Sequence, residues 1–244
     1  MSVKLPPEAK IGMVARLPDE LWSKLDRVCS DVVEWEAREV VTRASQPINQ
    51  SALLLNGVMT RHIADKDGHR QMVALQVPGD FVDLHSLPLG RLDHDVSTIT
   101  RSRAAIFPHD ALKQIIAESE DDARALWALT MIDASIHRHW TFRLGRLRAT
   151  AGMANFLSEL ALRNELNGRG DTKGFDLPLT QQELAEVCGL SPMHVHRVLR
   201  DLREGGLCSV KHGRVEILDR AGLVRTGNFD PQYLYLPWSS DPAS

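Results

Sequence analysis

The sequence predicts an α+β protein with an N-terminal antiparallel β-roll, a long helix and a C-terminal winged helix-turn-helix. Three observations indicate this order. Short apolar runs separated by turn residues fill the first half, an unbroken helical pattern follows, and two short capped helical patterns precede a hairpin pattern. We place the three parts at residues 1–118, 119–149 and 150–244.

The first part begins with residues 1–17, which we expect to form a loosely ordered arm. Pro18-Asp19-Glu20 then opens a short helix with Leu21, Trp22 and Leu25 on one face. Asn56-Gly57 and the segment 65–68 are typical of tight hairpin turns. They separate apolar runs of strand length at 40–41, 51–55, 58–63, 72–77, 96–100 and 104–107. Such regular short strands predict a small antiparallel barrel or roll over about residues 30–108.

The second part has no internal proline and could span about 45 Å at 1.5 Å per residue. Apolar residues recur along it at spacings of three and four, from Leu126 to Leu147. Such a stripe indicates either intramolecular core or the seam of a two-helix coiled coil. We expect a homodimer seam, because a helix-turn-helix usually binds paired half-sites. The predicted seam consists of Leu129, Ile132, Ile136, Trp140 and Leu144.

In the third part, another amphipathic helix covers residues 150–166 and a loop covers 167–171. Thr180 then caps a short helix, with Glu183 three residues later as a capping box. Ser191 caps the next helix and Pro192 takes its first position. The second helix has an apolar stripe of Val195, Val198, Leu199 and Leu202.

These two short helices are separated by a four-residue turn, as in a helix-turn-helix whose second helix enters the DNA major groove. A strand pair over 207–218, turning near 211–213, predicts a wing. The segment from His194 to Arg214 contains five Lys or Arg residues and two acidic residues. Because this positive excess is modest, we expect few phosphate contacts per subunit. The alternative is a sensory module whose helix-turn-helix serves protein contacts only.

Composition bounds the remaining classes of function. The chain of 244 residues has a net charge of −3, 43% hydrophobic residues and 25% charged residues, as ordinary globular proteins do. Apolar runs fall short of the ~18–20 residues that span a bilayer, and no secretory signal is recognisable, so we expect a cytoplasmic protein. Three scattered cysteines imply no disulfide framework. No nucleophile–base pair, phosphate-cradling loop or metal-ligand motif suggests an enzyme.

The order of roll, long helix and winged helix-turn-helix resembles the Crp/Fnr family of bacterial transcription regulators. The most specific parts of the resemblance are Asn56-Gly57, the segment 77–81 (Val-Pro-Gly-Asp-Phe) and the block 179–213. The resemblance implies a cyclic-nucleotide-binding-like double-stranded β-helix and a cytoplasmic homodimer that binds roughly palindromic promoter DNA. It also implies a signal sensed in the roll, and RNA polymerase as a partner where the regulator activates.

The pocket implied by the resemblance departs from the cyclic-AMP pattern. Where responsive members have Gly-Glu-Leu this chain has Asp83-Leu84-His85, and where they have an Arg-Ser or Arg-Thr pair it has His94-Asp95. Leu84 cannot accept the ribose hydrogen bond, and Asp95 would repel the cyclic phosphate. We therefore expect a degenerate effector pocket that does not bind cyclic AMP. Its candidate residues are Gly79, Asp80, Asp83, Leu84, His85, His94 and Asp95.

The resemblance also raises two other sensing chemistries found in the family, an iron–sulfur cluster and haem or a metal ion. Cys29, Cys188 and Cys208 do not supply the four thiolates of an iron–sulfur cluster, so structural packing is their expected role. Haem or metal sensing is the alternative for the scattered histidines, although His137 and His139 are two apart on a helix and cannot bind one ion together. The other histidines near the pocket segment are His85, His94 and His109, while His62 and His69 flank a hairpin and are expected to be exposed. We expect no resident cofactor and leave the effector open.

The resemblance also implies how DNA would be read. Arg197 matches the arginine that the family uses against a guanine, and its planar fork fits the O6 and N7 edge of that base. Met193 replaces a base-reading glutamate and could meet a thymine methyl. The other candidate DNA contacts are His194, His196 and Arg200 on the recognition helix, Thr180, Gln181 and Gln182 on the first helix, and Lys211 and Arg214 on the wing.

Overall fold

The computed structural model describes residues 3–236 and shows the predicted α+β architecture. Its N-terminal half contains two antiparallel sheets packed face to face as a roll. In chain order the elements are α1 (Asp19–Val28), β1 (Asp31–Trp35), β2 (Val40–Thr42), β3 (Gln50–Asn56), β4 (Met59–Ala64), β5 (Arg70–Gln76), α2 (Ser86–Leu89), β6 (Asp95–Thr98) and β7 (Ser102–Pro108). The sheet orders are β1-β7-β3 and β2-β6-β4-β5.

Three helices follow the roll: α3 (His109–Glu118), α4 (Glu120–Arg146) and α5 (Ala149–Leu166). The Ser119 side chain accepts a hydrogen bond from the backbone N–H of Asp122 and begins α4. Leu147 has an extended backbone, which ends α4 and turns the chain into α5. No helix within residues 3–236 is both long and apolar enough to cross a membrane.

The C-terminal unit combines helices with a four-stranded sheet. Its elements are β8 (Gly170–Asp171), β9 (Gly174–Asp176), α6 (Gln181–Cys188), α7 (Pro192–Glu204), β10 (Cys208–Lys211), β11 (Arg214–Ile217) and α8 (Arg220–Gly227). The wing is therefore larger than expected, with strand order β10-β11-β9-β8. Residues 170–171, predicted as loop, instead pair with β9. The sequence did not predict this strand because the segment is too short and glycine-rich to show a strand pattern.

The N-terminal segment is not the loosely ordered arm that we predicted. Residues 7–9 and 12–16 form short 3₁₀ helices, and Leu5, Val14 and Leu17 are buried. The backbone N–H of Val14 donates to Gly79 O at 3.3 Å. Gly79 has φ +90°, and a Cβ there would lie 2.3 Å from Ile11 O, so this approach requires glycine. The segment thus forms one wall of the roll.

The apolar stripe of α4 is buried inside a single chain, so the predicted dimer seam is wrong in most of its residues. Leu129, Ile132, Ile136 and Trp140 are at most 7% exposed, packed in cores that include the roll and α5. Leu144 alone among the five is substantially exposed, at 39%. Periodicity identifies a buried face of a helix but does not say which element buries it.

Two further expectations concern single positions. His62 is buried in β4 rather than exposed, whereas His69 lies in the exposed hairpin after β4 as predicted. The sequence also predicts that the tail, residues 221–244, packs on the C-terminal unit. Tyr233 and Leu234 of a 3₁₀ helix at 231–234 are buried, and this helix contacts α4. The rest of that prediction, residues 237–244, lies outside the described residues.

Candidate DNA interface and effector pocket

Local hydrogen bonds fix the helix-turn-helix. The Thr180 hydroxyl accepts from Glu183 N at 3.1 Å, while the Glu183 carboxylate accepts from Thr180 N at 2.7 Å, which completes the predicted capping box. Gly189 ends α6 with φ +63°. The Ser191 hydroxyl then accepts from His194 N at 3.2 Å and begins α7. These caps set the turn between the two helices.

Helix α7 has one buried face and one exposed face. Val195, Val198 and Leu202 are at most 1% exposed, and they pack against α5 and α6. On the other side Met193 is 77% exposed and Arg197 projects into solvent. Arg197 has no carboxylate within 4.0 Å among the described residues, so its guanidinium is free to bind a base edge.

The other candidate DNA contacts lie around this face. His196 and Arg200 are exposed on α7, His194 is half-buried, and Gln181 and Gln182 are exposed in the first turn of α6. Thr180 is exposed, but its oxygen is engaged in the cap. Lys211 is exposed on the wing, whereas Arg214 pairs with Asp176 at 2.9 Å.

A small enclosed cavity lies beside the first part of the predicted pocket segment. A cavity of about 30 Å³, room for two or three water molecules at most, is walled by Gly79, Asp80, Leu84 and His85. Met13 and Val14 close it from the N-terminal segment, and Leu129 and Ile136 close it from α4. Ligand pockets of drug-sized molecules measure about 300–1,000 Å³. This cavity has no space for a nucleotide, but a separate groove of about 560 Å³, lined by His85 and His94, lies between the roll and α4.

The remaining pocket candidates, Asp83, His94 and Asp95, do not line this cavity. Asp83 accepts from Ala52 N at 2.8 Å, and burial raises the pKa of its carboxyl to about 7. Asp95 accepts from Ala44 N at 2.7 Å. His94 is buried near His85, with a separation of 5.3 Å between ring centroids. Burial lowers the pKa of His94, so its imidazole is not the cation that a cyclic phosphate needs.

Sequence reasoning missed Arg61, the cation of this region. Its guanidinium is 1% exposed, donates from Nε to Val82 O at 2.8 Å and pairs with Asp133 of α4 at 2.6 Å. The bonds to the roll backbone and to α4 tie the two together. A charged residue inside the apolar run 58–63 was the signal that could have revealed it, because a buried charge needs a partner.

A buried polar network continues from the roll to the C-terminal end. Asp80 pairs with Arg163 of α5, and the fully buried Glu159 accepts from Tyr233 Oη at 2.7 Å and Trp140 Nε1 at 3.1 Å. The Arg143 guanidinium lies 3.3 Å from the same carboxylate. Burial alone would raise the pKa of Glu159, but the two arginines and the two hydrogen bonds outweigh burial and lower it. Glu159 is therefore ionised.

The roll also contacts α6 directly. Arg38 Nε lies 3.2 Å from the Glu183 carboxylate, and Arg70 Nη2 lies 3.1 Å from that of Glu186. Gln71 Nε2 also donates to the backbone carbonyl of Glu186. None of these contacts has a local sequence signal, because the partners are more than 110 residues apart.

The family models agree with both halves of this architecture. Residues 32–119 match the cyclic nucleotide-binding domain, and residues 153–226 match the Crp-like helix-turn-helix domain. A roll of this type followed by a long helix and a winged helix-turn-helix defines a DNA-binding transcription regulator.

Comparison with known proteins gives the family. The chain is 30% identical over 171 residues to the nitrogen fixation regulation protein FixK of Bradyrhizobium diazoefficiens, covering 69% of this chain and 70% of the relative. It is 26% identical over 200 residues to the transcriptional activator protein FnrL of Cereibacter sphaeroides, covering 80% of each. The structure of FixK2 from Bradyrhizobium japonicum has the same fold, with a TM-score of 0.74 and 21% identity over 80% of this chain and 96% of that one. The chain belongs to the Crp/Fnr family of transcription regulators.

Proposed function

We propose that the protein acts in the cytoplasm as a homodimer that binds a roughly palindromic promoter site through α7 of each subunit. The exposed face of α7 carries this proposal: Arg197 is unpaired within the described residues and Met193 stands beside it. Arg197 would read a guanine in each half-site and Met193 a neighbouring thymine methyl. The partners are double-stranded DNA, a second copy of the chain and, where it activates, RNA polymerase.

Three units support this function, at 1–118 for the roll, 119–149 for the long helix and 150–244 for DNA binding. The dimer would form through the exposed large apolar side chains of α4. Trp127 is 63% exposed, Met131 48% and Phe142 42%, an unusual density of large apolar side chains on one solvent-facing helix. These three residues lie on one face of α4 and replace the buried stripe as the proposed seam, whereas Leu144 lies on another face, beside Gly189.

Sedimentation of the full-length protein tests the seam. Met131→Glu places a carboxylate in the proposed interface and should shift the protein toward monomer at micromolar concentration. Leu218→Glu is the matched control, because Leu218 is 52% exposed in the C-terminal unit, away from α4. A Met131→Glu protein that stays dimeric at the dilution where the control is dimeric would place the interface elsewhere.

We further propose that the roll does not respond to cyclic AMP. The cavity beside Leu84 is too small for a nucleotide, the larger groove carries the carboxylates of Asp93 and Asp133, and Arg61 uses its hydrogen bonds on Asp133 and the roll backbone. Selection of bound fragments from random duplex DNA, without added nucleotide, tests both proposals. A palindromic consensus with a guanine in each half-site is expected, and adding cyclic AMP should leave it unchanged. No enrichment under either condition would contradict a regulator that binds DNA without effector.

A further inference from the structure

A groove of about 560 Å³ runs between the roll and α4, separate from the small enclosed cavity. Histidines enter it from both walls: His85 and His94 from the roll, and His137 from α4. Its charged residues are Arg61, Asp93 and Asp133.

The buried imidazole of His94 is oriented as metal-binding histidines are. Its Nδ1 lies 2.8 Å from the Asp93 carboxylate, which can only accept, so Nδ1 carries the proton. Nε2 is then left with a free lone pair. This nitrogen is buried and has no hydrogen-bond partner within residues 3–236. A carboxylate that holds one ring nitrogen while the other binds an ion is a recurring arrangement around metals.

His137 shows the same arrangement on the opposite wall. Its Nδ1 lies 3.0 Å from the backbone carbonyl of Asp133, which accepts the Nδ1 proton and leaves Nε2 free. The imidazole is about one-third exposed and faces the groove rather than the core. Neither His94 nor His137 needs a change of tautomer to become a ligand.

The spacing within the roll also fits one ion. The ring centroids of His85 and His94 lie 5.3 Å apart. Two imidazoles bound to one tetrahedral ion at metal–nitrogen distances of about 2.0–2.1 Å place their centroids about 5 Å apart. Two carboxylates and one guanidinium line the groove, and Asp133 pairs with Arg61 while Asp93 holds His94.

We propose that His85, His94 and His137 bind a divalent transition-metal ion of the kind that prefers imidazole, such as Zn²⁺ or Co²⁺. The ligand atoms of the three residues are not already within 4.8 Å of one another. Binding therefore draws His137 toward the pair on the roll and closes the groove. That the ion thereby alters DNA affinity rests on the proposed function, whereas binding of the ion does not.

Titration of tag-free, chelator-stripped full-length protein with Co²⁺ tests the site, since tetrahedral Co²⁺ absorbs visibly between about 500 and 650 nm when bound by nitrogen ligands. We expect one Co²⁺ per chain, displaced by Zn²⁺. His94→Ala and His137→Ala should each weaken binding about 10-fold or more. Asp93→Asn, which leaves all three ligands in place, should weaken it about 10-fold by loosening His94.

His69→Ala is the matched control, because His69 lies beside Asp65 and Asp67 in an exposed hairpin that could bind ions weakly. Its Co²⁺ affinity should equal that of the wild type. Wild-type protein without Co²⁺ absorption, or His94→Ala and His137→Ala proteins that are folded by circular dichroism and bind as tightly as wild type, would overturn the site. DNA affinity is measured separately with and without Zn²⁺. An ion that binds without changing DNA affinity would overturn only the regulatory consequence.

Discussion

The buried carboxylate of Glu159 gives the strongest prediction of the structure. Glu159 is fully buried and pairs with Arg143, which is 2% exposed. Arg163 also lies 3.6 Å from the carboxylate but keeps Asp80 as a second partner. Arg143 has no other carboxylate within 4.0 Å in the described part of the chain. Replacing Glu159 by Gln therefore leaves one guanidinium buried without a counter-charge.

The expected loss follows from that single unpaired charge. Removing one partner of a buried ion pair costs about 3–5 kcal/mol of unfolding free energy. Glu159→Gln should lower stability by this amount, while the glutamine oxygen still accepts from Tyr233 or Trp140. Combining it with Arg143→Met should restore part of the loss, since the methionine removes the stranded charge and fills similar space beside Trp140 and Phe156.

Urea denaturation at pH 7, followed by circular dichroism at one fixed protein concentration, measures both effects. Glu34→Gln is the matched control, because Glu34 pairs with Arg101 at 2.7 Å on the surface, with both side chains more than half exposed. It should cost at most about 1 kcal/mol. A Glu159→Gln loss as small as that of the control, or a double variant less stable than the single, would refute the reasoning.

Three further predictions concern DNA reading, pH and thiol reactivity. Arg197→Ala should cost about 1–3 kcal/mol of DNA-binding free energy at one base pair of the half-site, whereas Lys211→Ala should weaken binding to all sequences alike. Gel shifts on specific and unrelated duplexes distinguish the two effects. Equal losses of affinity for Arg197→Ala on both duplexes would contradict base reading by Arg197. Burial, and after it the nearby Lys113 cation, lowers the pKa of His109 in the folded protein. Below the usual imidazole pKa of about 6.5 the unfolded chain therefore binds more protons than the folded chain, and the free energy of unfolding falls as the pH falls toward the lowered pKa. Urea titrations of a His109→Gln protein between pH 7 and 5.5 should show a shallower decline of that free energy, and a decline as steep as that of the wild type would contradict this role of His109. Burial raises the pKa of the Cys188 and Cys208 thiols to about 11, so few reactive thiolates are present at pH 8. Iodoacetamide at pH 8 should therefore leave both cysteines unmodified in the native protein and modify both in urea, which mass spectrometry measures. Modification of either cysteine in the native protein would contradict its packing role.

Local signals in the sequence were sufficient for the elements that carry DNA binding. Thr180 and Ser191 are caps, and each makes the hydrogen bonds that its spacing predicted. The stripe of α7 packs inward as its period required. The caps and the buried stripe depend on residues three or four apart, so the spacing of residues along the sequence is enough to predict them. In the roll the same holds for the β4–β5 hairpin around residues 65–68, whereas the other strand pairs, such as β1 with β7, join segments far apart in sequence.

Features that depend on distant residues were missed or misassigned. The α4 stripe was identified, but the sequence does not say that the roll and α5 cover it. Arg61 finds Asp133 across 72 positions, and Asp80 finds Arg163 across 83. Such pairs follow from the packing of whole units. The N-terminal segment was underestimated because its apolar residues, such as Val14 and Leu17, are too widely spaced to give a helix or strand period.

The placement of that segment has a thermodynamic consequence. Met13 and Val14 wall the cavity inside the roll, and the backbone of Ile11, just before them, packs against Gly79. A wall supplied by the same chain is present at a fixed local concentration, which for short tethers reaches the millimolar range. Unlike a diffusible effector, it cannot be diluted or withdrawn by the cell. A molecule larger than this cavity would have to displace the tethered wall before it could enter from the side of Met13 and Val14.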